Sequence, residues 1–351
     1  MPTFTVMTWN VQNLFVPAPD AGSEKSAEFE QKLRALAAVI DQVQPQVLAL
    51  QEIGPGEALA RLQGALTHAM PHGAAGVPDS RGIRVAFLST LPFEGKPIDL
   101  LSFPDRLRPV QVKDPIFDDP ATAVDEVALT RMERGALEVT VRLGDTPVTV
   151  LNAHFKSKLI TYERQPGLVG GNPFQPNDES ERYRYAAYAL FRRTAEAVVL
   201  RQRLNELLSD PAAPNDLARG RGGERAVIFG GDFNDEPHAA TTQILQGPSG
   251  SEIGTGGFPR PDQGDAFRLW NLAPLLPPVD GAPPYTRIFK GRGELIDHLF
   301  ASRRLVDPDR LPTAYTIMQP DPLPSIGDNP NAAPFRPGSD HAAVVAVFEL
   351  E

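Results

Sequence analysis

The stretch 226–235 constrains the fold more than any other part of the sequence. It reads Ala-Val-Ile-Phe-Gly-Gly-Asp-Phe-Asn-Asp, so a short apolar run ends in two glycines and then in alternating polar residues. This pattern is typical of a buried strand, although a strand that leaves the core through an Asp/Asn turn is compatible with it. Because side chains alternate across a strand, Asp232 and Asn234 are expected to point the same way. The glycines remove side-chain bulk and allow a close approach to the backbone.

Strand patterns recur along the rest of the chain, and helical patterns occur between them. Strands are predicted over residues 3–11, 47–51, 83–89, 137–143, 148–155, 265–270, 285–289, 294–301 and 342–350, with hairpin turns at 144–145 and 290–293. Helices are predicted over 23–44, 57–67 and 185–208, the first capped by Ser26. Long loops are predicted at about 159–180 and 308–337.

No glycine- or serine-rich linker divides the chain, so we expect one domain over residues 1–351. Strands alternating with a few helices favour an α/β fold in which two sheets pack together and helices cover the outside. The sequence contains no cysteine, which excludes disulfides, zinc–thiolate sites and a cysteine nucleophile, and fits a reducing compartment.

The charge and hydropathy of the chain limit its partners. The net charge is −10, whereas a protein that coats nucleic acid is usually basic; an enzyme that holds one phosphate in a cleft need not be. No apolar run approaches the length of a membrane span, and a strand pattern from Thr3 leaves no room for a signal peptide. We therefore expect a cytoplasmic protein with no stable membrane association. The absence of heptads favours a monomer.

Polar residues follow several predicted strands at the point where each strand ends. They are Asn10, Glu52, Asn152, His154, Asp232, Asn234, Asp297, Ser339, Asp340 and His341. Each one alone is compatible with a turn, a surface carboxylate or a half-buried histidine. A buried Asp297, flanked by apolar residues on its strand, requires a partner. Together, and in this order, the residues predict a single active site.

The ordered motifs Thr-Trp-Asn, Gln-Glu, Asn-Ala-His, Gly-Asp-Phe-Asn, Ile-Asp-His and Ser-Asp-His resemble the endonuclease/exonuclease/phosphatase superfamily, whose fold is that of DNase I. The resemblance extends from Asn10 to His341, and Gly-Asp-Phe-Asn with Ser-Asp-His is its most specific part. It implies a four-layer α/β/β/α sandwich of two packed, mainly antiparallel sheets. It also implies metal-assisted hydrolysis of a phosphoester at the place where loops of the two sheets meet.

The resemblance implies a metal site at Asn10, Glu52 and Asp340. These residues offer only oxygen ligands, which suits a hard cation such as Mg²⁺ or Mn²⁺. The phosphoryl transition state spreads negative charge, so positive and hydrogen-bonding groups are needed around it. His341, His154 and Asn234 supply such groups, and Asn152 belongs to the same expected catalytic set.

Asp297 is expected to orient His341 and to favour its charged form. The adjacent His298 should then face the opposite side of its strand. Asp232 would orient the attacking water or take its proton. The sequence leaves open whether Asp232 or His341 is the general base.

Phosphate-binding candidates follow His154. If the strand continues past it, Lys156 and Lys158 share its face and bind a polyanion; the alternative is a solvated basic edge. This His-Phe-Lys-Ser-Lys segment is similar to one in bacterial nuclease-like members, many of which are secreted. Arg81 is a further phosphate-binding candidate, with Arg84, Arg131 and Arg134 as additional ones.

These observations predict a divalent-metal-dependent phosphodiesterase, and a nuclease acting on DNA or RNA is the first hypothesis. A phosphomonoesterase or a lipid-headgroup phosphodiesterase of the sphingomyelinase type is the alternative, because superfamily members differ in their loops. A non-catalytic binding module should have lost catalytic residues, and none is missing. An abasic-site endonuclease is a narrower form of the first hypothesis, and the acidic net charge does not favour it. The 159–180 loop should overhang the cleft.

Overall fold

The computed structural model describes residues 3–112, 126–162, 173–210, 212, 224–246, 267–306, 311–317, 323–329 and 335–350. The strands are β1 (Thr3–Leu14), β2 (Val47–Ile53), β3 (His72–Ala75), β4 (Arg84–Ser89), β5 (Ile98–Ser102), β6 (Val110–Val112), β7 (Glu126–Ala128), β8 (Arg131–Leu143), β9 (Thr146–His154), β10 (Ala226–Asp232), β11 (Leu269–Asn271), β12 (Arg287–Phe289), β13 (Arg292–Glu294), β14 (Asp297–Ser302), β15 (Thr313–Ile317), β16 (Ser325–Ile326) and β17 (Ala343–Glu349). The α-helices are α1 (Gly22–Val43), α2 (Glu57–Ala65), α3 (Glu179–Leu208) and α4 (Ala240–Gln246).

Two six-stranded sheets form the centre of the molecule. Their strand orders are β15-β17-β1-β2-β4-β3 and β11-β14-β10-β9-β8-β5. Each sheet has a central parallel pair, β1 with β2 and β9 with β10, while the other described neighbours run antiparallel. A parallel pair needs a crossover connection, and α1 and α3 lie in these two crossovers. The predicted pair of mainly antiparallel sheets is therefore confirmed.

Three apolar clusters hold four layers together. The cluster between the sheets includes Phe4, Val150 and Ile228. A second cluster packs α1 and α2 on the first sheet, and a third packs α3 and α4 on the second. The order of layers is therefore α/β/β/α, as the resemblance implied. No helix in the described ranges is long and apolar enough to cross a membrane.

The predicted helices are present, but their ends differ from prediction. Ser26 lies inside α1, where its hydroxyl donates to the Gly22 carbonyl at 3.1 Å, so the predicted Ser26 cap is wrong. The helix ends at Gln44, which takes a left-handed conformation with φ 52° just before Pro45. The seven-residue α4 was not predicted because it is too short to show helical periodicity.

Two predictions near the C-terminus need correction. The hairpin predicted from 285–289 and 294–301 forms only between β12 and β13, which pair in a small sheet. Its second strand does not continue to 301, because β14 is a separate strand that pairs with β10. The buried Leu295 and Ile296 extended the apolar pattern across this break. The predicted 308–337 loop contains β15, which adds an edge to the first sheet, and β16, which joins β12.

The close approach predicted at the two glycines is present. A Cβ on Gly231, whose φ is +141°, would lie 1.9 Å from the Ala153 carbonyl oxygen of the parallel neighbour β9. A Cβ on Gly230 would lie 2.6 Å from Leu299 Cδ2 on the other neighbour, β14. The glycines therefore allow β10 to fit between its neighbours immediately before Asp232.

The substitution Gly231→Ala is expected to destabilise the fold by about 4 kcal/mol or more, because the methyl group collides with backbone in a disfavoured conformation. Gly64→Ala is the control: Gly64 is exposed on α2, and an added Cβ meets nothing within 4 Å. That change should be neutral or stabilise by up to about 1 kcal/mol. Urea unfolding of both variants measures the difference, and equal stabilities would contradict this account of β10.

Candidate active site

A cleft of about 540 Å³ opens at the edge where the two sheets meet. The first sheet contributes Glu52 near the end of β2, and Asp340 and His341 just before β17. The second sheet contributes His154 and Asp232 from the ends of β9 and β10. The described ends of the predicted 159–180 loop, including Leu159, Tyr162 and Phe174, also line the cleft. Residues 163–172 of that loop lie outside the described residues.

A buried histidine–carboxylate pair lies at the base of the cleft. His341 Nδ1 is 2.7 Å from Asp297 Oδ2. Burial alone would lower the pKa of His341, but the charge and hydrogen bond of Asp297, with the charges of Asp232 and Asp340, raise it to about 10. His341 is therefore an imidazolium at neutral pH.

The neighbouring His298 faces away from this pair, as the strand alternation predicted. Its Nε2 lies 2.8 Å from the Asp235 carbonyl oxygen, and its ring stacks on Phe233. Burial lowers the pKa of His298 to about 4, so its ring is neutral and occupies a structural position.

Asp232 lies opposite the charged His341. Its Oδ2 accepts a hydrogen bond from Asn10 Nδ2 at 2.9 Å and lies 3.9 Å from His341 Nε2. Its Oδ1 accepts the Asn234 backbone N–H at 2.9 Å. Burial and the nearby Asp297 carboxylate raise the pKa of Asp232, which makes it a stronger base than an exposed aspartate.

His154 approaches the same carboxylate from the second sheet. Its Nε2 is 3.4 Å from Asp232 Oδ2. Arg134 Nη1 contacts the His154 ring and lies 3.1 Å from Nδ1. Burial first, and then the positive charges of Arg134 and His341, hold the pKa of His154 well below its usual value. His154 is therefore a neutral hydrogen-bonding group, and His341 carries the charge.

Five cleft residues other than glycine have left-handed backbones, with φ between 47° and 63°: Gln12, Asn13, Glu52, Asn234 and Lys290. Each such conformation costs on the order of 1 kcal/mol. Hydrogen bonds hold these turns in place. Asn13 N–H donates to Glu52 Oε2 at 2.8 Å, and Asn234 Nδ2 donates to the Phe155 carbonyl at 3.1 Å.

The donor set at the first sheet fits a hard cation. Glu52 and Asp340 both line the cleft, and the Glu52 charge adds to burial in raising the pKa of Asp340. A divalent cation between the two carboxylates would relieve this repulsion. Asn10 is oriented differently: its Nδ2 donates to Glu52 and Asp232, while its Oδ1 accepts the Gln12 N–H. Its amide would have to rotate to offer its oxygen to a metal.

Asp232, Asp297 and His341 form a second group whose possible ligand atoms lie within 4.8 Å of one another. The 2.7 Å contact between Asp297 and His341 already uses the Nδ1 nitrogen for a hydrogen bond. His341 is also charged, and a protonated nitrogen cannot ligate a metal. These three residues therefore form a proton-handling group, and the carboxylates of Glu52 and Asp340 are the better metal ligands.

Four predicted site residues lie outside the cleft lining, namely Asn10, Asp297, Asn152 and Lys156. Asn10 and Asp297 still contact residues of that lining, Asp232 and His341 respectively. Asn152 is fully buried between the sheets, where Nδ2 donates to the Leu50 and Ala86 carbonyls and Oδ1 accepts from Gln51. The strand β9 ends at His154, so the predicted continuous face does not extend to Lys156. The Lys156 ammonium donates instead to the Leu159 carbonyl at 3.3 Å.

Other predicted cations do reach the cleft. Lys158 and Arg81 line it, and each has an acidic neighbour, Asp235 at 3.3 Å and Asp79 at 3.4 Å. The lining also includes Arg134, but it does not include Arg84 or Arg131. Arg182, Arg287 and Lys290 were not predicted and complete the basic lining.

A buried residue that the sequence patterns do not reveal connects two segments of the site. Arg193 on α3 donates to Asp235 Oδ2 at 2.9 Å and to the Lys156 carbonyl at 3.1 Å. These acceptors follow Asn234 and His154 along the chain, so Arg193 fixes the two segments relative to each other. The sequence signal for this contact is Asp235, the second aspartate, which directly follows Asp-Phe-Asn. Its partner Arg193 is 42 residues away and cannot be identified from the sequence.

Comparisons with known proteins agree with this fold. The Endonuclease/Exonuclease/phosphatase family matches residues 7–341. Similar solved structures include truncated Caenorhabditis elegans TDP2, with 16% identity, 99% of this chain and 97% of that chain covered, and a TM-score of 0.52. D. rerio TDP2 complexed with a single-strand DNA product is 15% identical, with 99% of each chain covered and a TM-score of 0.53. Beta toxin from Staphylococcus aureus is 12% identical, with 99% of this chain and 100% of that chain covered and a TM-score of 0.52. A comparison with curated proteins gives no significant match.

The chain therefore belongs to the Endonuclease/Exonuclease/phosphatase family. It has the DNase I-like fold of that family and is a phosphoric ester hydrolase. Enzymes of this family use divalent metals, which agrees with the paired carboxylates at Glu52 and Asp340.

The raised pKa of His341 predicts a specific pH dependence of stability. Protonation favours the folded state, so the contribution is complete below the unfolded pKa of about 6.5 and is lost as pH rises toward about 10. Between about pH 6 and about pH 9, wild type should lose on the order of 2 kcal/mol more stability than His341→Gln. Urea unfolding in EDTA measures this; parallel losses in both proteins would contradict a charged His341.

Proposed function

We propose that the protein is a Mg²⁺- or Mn²⁺-dependent phosphodiesterase that hydrolyses DNA or RNA. The observation that carries the proposal is the charged His341, held by Asp297 and facing Asp232 in a cleft with a basic lining. This pairing offers a positive donor and a basic carboxylate to one phosphodiester. The structural likeness to D. rerio TDP2, which was solved with a single-strand DNA product, supports nucleic acid as the substrate class.

The chain's own residues account for substrate binding. Arg81, Arg134 and Lys158 line the cleft beside His154 and supply cationic donors for phosphate oxygens. The neutral His154 and the Asn234 amide add uncharged donors. A diester between two nucleosides would then lie with its phosphorus above Asp232 and His341.

The two protonation states support one assignment of the acid–base roles that the sequence left open. His341 is already protonated, so it cannot accept a proton and instead stabilises the negative charge that develops on the phosphate oxygens. Asp232 has a raised pKa and lines the cleft, so it takes the proton of the attacking water. Asp297 keeps the His341 ring charged and oriented.

Glu52 and Asp340 would hold the metal, with Asn10 joining them if its amide rotates. When bound, a divalent ion supplies positive charge to a phosphate oxygen and helps to orient the substrate. The two carboxylates lie on the side of the cleft formed by the first sheet, whereas His154 and Asp232 come from the second. The metal ligands and the proposed base Asp232 therefore approach a phosphate from opposite sheets.

Metal binding has a readout other than activity. Mn²⁺ at about 100 times its Kd should stabilise wild type by about 2.7 kcal/mol in thermal unfolding. Glu52→Gln and Asp340→Asn should each lose most of that gain, because each removes an anionic ligand. Asp328→Asn is the control, since Asp328 also lines the cleft but pairs with Lys290 at 2.6 Å. An undiminished gain in the Glu52 and Asp340 variants would contradict the assigned metal site.

The nuclease proposal is tested with supercoiled plasmid, single-stranded DNA and RNA, with Mg²⁺ and with EDTA. Wild type should cleave at least one of them only with Mg²⁺, and His341→Ala should lower the rate by about a thousandfold. His238→Ala is the matched control, because His238 is exposed and outside the cleft lining. Bis-p-nitrophenyl phosphate and p-nitrophenyl phosphate are assayed in parallel.

The outcomes separate the substrate classes. Intact polynucleotides, with small diester cleaved in a His341-dependent way, would reject the nuclease and keep the active site. Release of phosphocholine from sphingomyelin liposomes would then identify a lipid-headgroup phosphodiesterase. Faster cleavage of the monoester than of the diester would identify a phosphomonoesterase.

A further inference from the structure

A second cavity of about 760 Å³ adjoins the catalytic cleft. Both cavities are lined by Gln12 and Asn13 at the end of β1 and by Ile326 and Gly327 at β16. These four residues form a ridge between the two cavities. Asn13 N–H also bonds Glu52 Oε2 at 2.8 Å, which attaches the ridge to a proposed metal ligand. A chain-like substrate bound in the cleft would enter this second cavity when it crosses the ridge.

The second cavity contains a buried cation. The Lys32 side chain lines it from α1 although the residue is only 9% exposed. No described residue forms a direct hydrogen bond or ion pair with the Lys32 ammonium, but the charges of the Asp340 and Glu52 carboxylates act on it. A buried ammonium on a cavity wall, without a direct ion-pair partner, favours an anionic group in that cavity. Arg336 adds a second cation to the lining.

The same cavity has aromatic walls. Phe15, Phe29 and Phe335 line it, and Phe335 is 42% exposed, so its ring is accessible to a flat ligand. Aromatic faces beside cations are the combination that binds single-stranded nucleic acid, because bases stack and phosphates pair. A choline headgroup prefers an aromatic cage, and Lys32 and Arg336 would repel its quaternary ammonium.

We propose that this cavity, lined by Lys32, Phe335 and Arg336, is a subsite for a nucleotide of the substrate strand next to the cleaved phosphodiester. Its base stacks on Phe335, and its phosphate lies near Lys32 and Arg336. The inference rests on the proposed nuclease function and specifies it, because it requires a single-stranded or locally unpaired polynucleotide. A duplex whose bases remain stacked in pairs would not offer a free base to Phe335.

The experiment compares a 12-nucleotide single strand with bis-p-nitrophenyl phosphate, using Mg²⁺-loaded full-length protein. Phe335→Ala and Arg336→Gln should each lower kcat/KM for the oligonucleotide by about tenfold, because one stacked base or paired phosphate is lost. Each should leave kcat/KM for the small diester within about twofold of wild type. Phe191→Ala is the aromatic control, since Phe191 is 56% exposed on α3 and lies outside both linings.

Lys32 is tested by binding, with cleavage blocked by His341→Ala. Fluorescence anisotropy of the labelled oligonucleotide is measured over a range of salt concentrations in Mg²⁺. Adding Lys32→Gln should reduce the slope of log K against log salt by about 0.7, because one phosphate contact disappears. Arg34→Gln is the control, since Arg34 is exposed on α1 and outside the cavity. Its slope should equal that of the parent.

Three results would overturn the subsite. Unchanged oligonucleotide kinetics in both Phe335→Ala and Arg336→Gln would mean that the strand does not enter this cavity. Equal losses with the oligonucleotide and the small diester would place the effect at the catalytic cleft. An unchanged salt slope for Lys32→Gln would remove the phosphate contact. Failure of the nuclease proposal is distinguishable, because wild type itself would then leave the oligonucleotide intact while still cleaving the small diester.

Discussion

A buried amide bridge between the two sheets determines where the halves of the active site meet. Gln51 Nε2 donates to Thr8 Oγ1 within the first sheet and, at 2.7 Å, to Asn152 Oδ1 of the second. Asn152 returns hydrogen bonds to the Leu50 and Ala86 carbonyls. An apolar interface alone tolerates sliding, whereas an unpaired amide here would cost about 1–3 kcal/mol. The bridge therefore fixes the relative position of the sheets one residue from Glu52 and two from His154.

Attraction between opposite charges explains how the site keeps several charges in a poorly solvated place. Asp232, Asp297 and Asp340 surround the one imidazolium of His341, and each carboxylate raises its pKa. The backbone also holds the last part of the motif, because Trp9 Nε1 donates to the His341 carbonyl and Ser339 Oγ donates to the Asn10 carbonyl. These contacts connect β17 to β1 at the cleft. Strong local order offsets the cost of the left-handed turns that expose the catalytic groups.

The sequence predicts the sheets well because their alternation and burial are local properties. It also predicts the order of the motifs, and Asp297, His341, Asp232 and His154 do converge. The sequence does not predict features that depend on contacts between residues far apart in the chain. Asn152 and His154 are equivalent in the sequence pattern Asn-Ala-His. In the structure, the Asn152 amide forms hydrogen bonds between the sheets, whereas His154 lines the cleft. The hairpin predicted over 285–301 forms only in its first part, because β13 and β14 join different sheets. The role of Arg193 depends on a helix that is distant in sequence from Asp235.

The distribution of charge reconciles an acidic protein with a polyanionic substrate. The net charge of −10 opposes broad, nonspecific attraction to a phosphate backbone. Cations are instead placed inside the cleft, and several are oriented by acidic partners, as in the pairs Arg287–Glu294 and Lys158–Asp235. Each acidic partner orients the side chain of its cation and weakens the electrostatic attraction that the cation exerts on a distant polyanion. Substrate binding therefore depends on direct contacts inside the cleft. A substrate is therefore selected by the groups that enter the cleft, which makes local shape and unpaired bases more important than the charge of a long polymer.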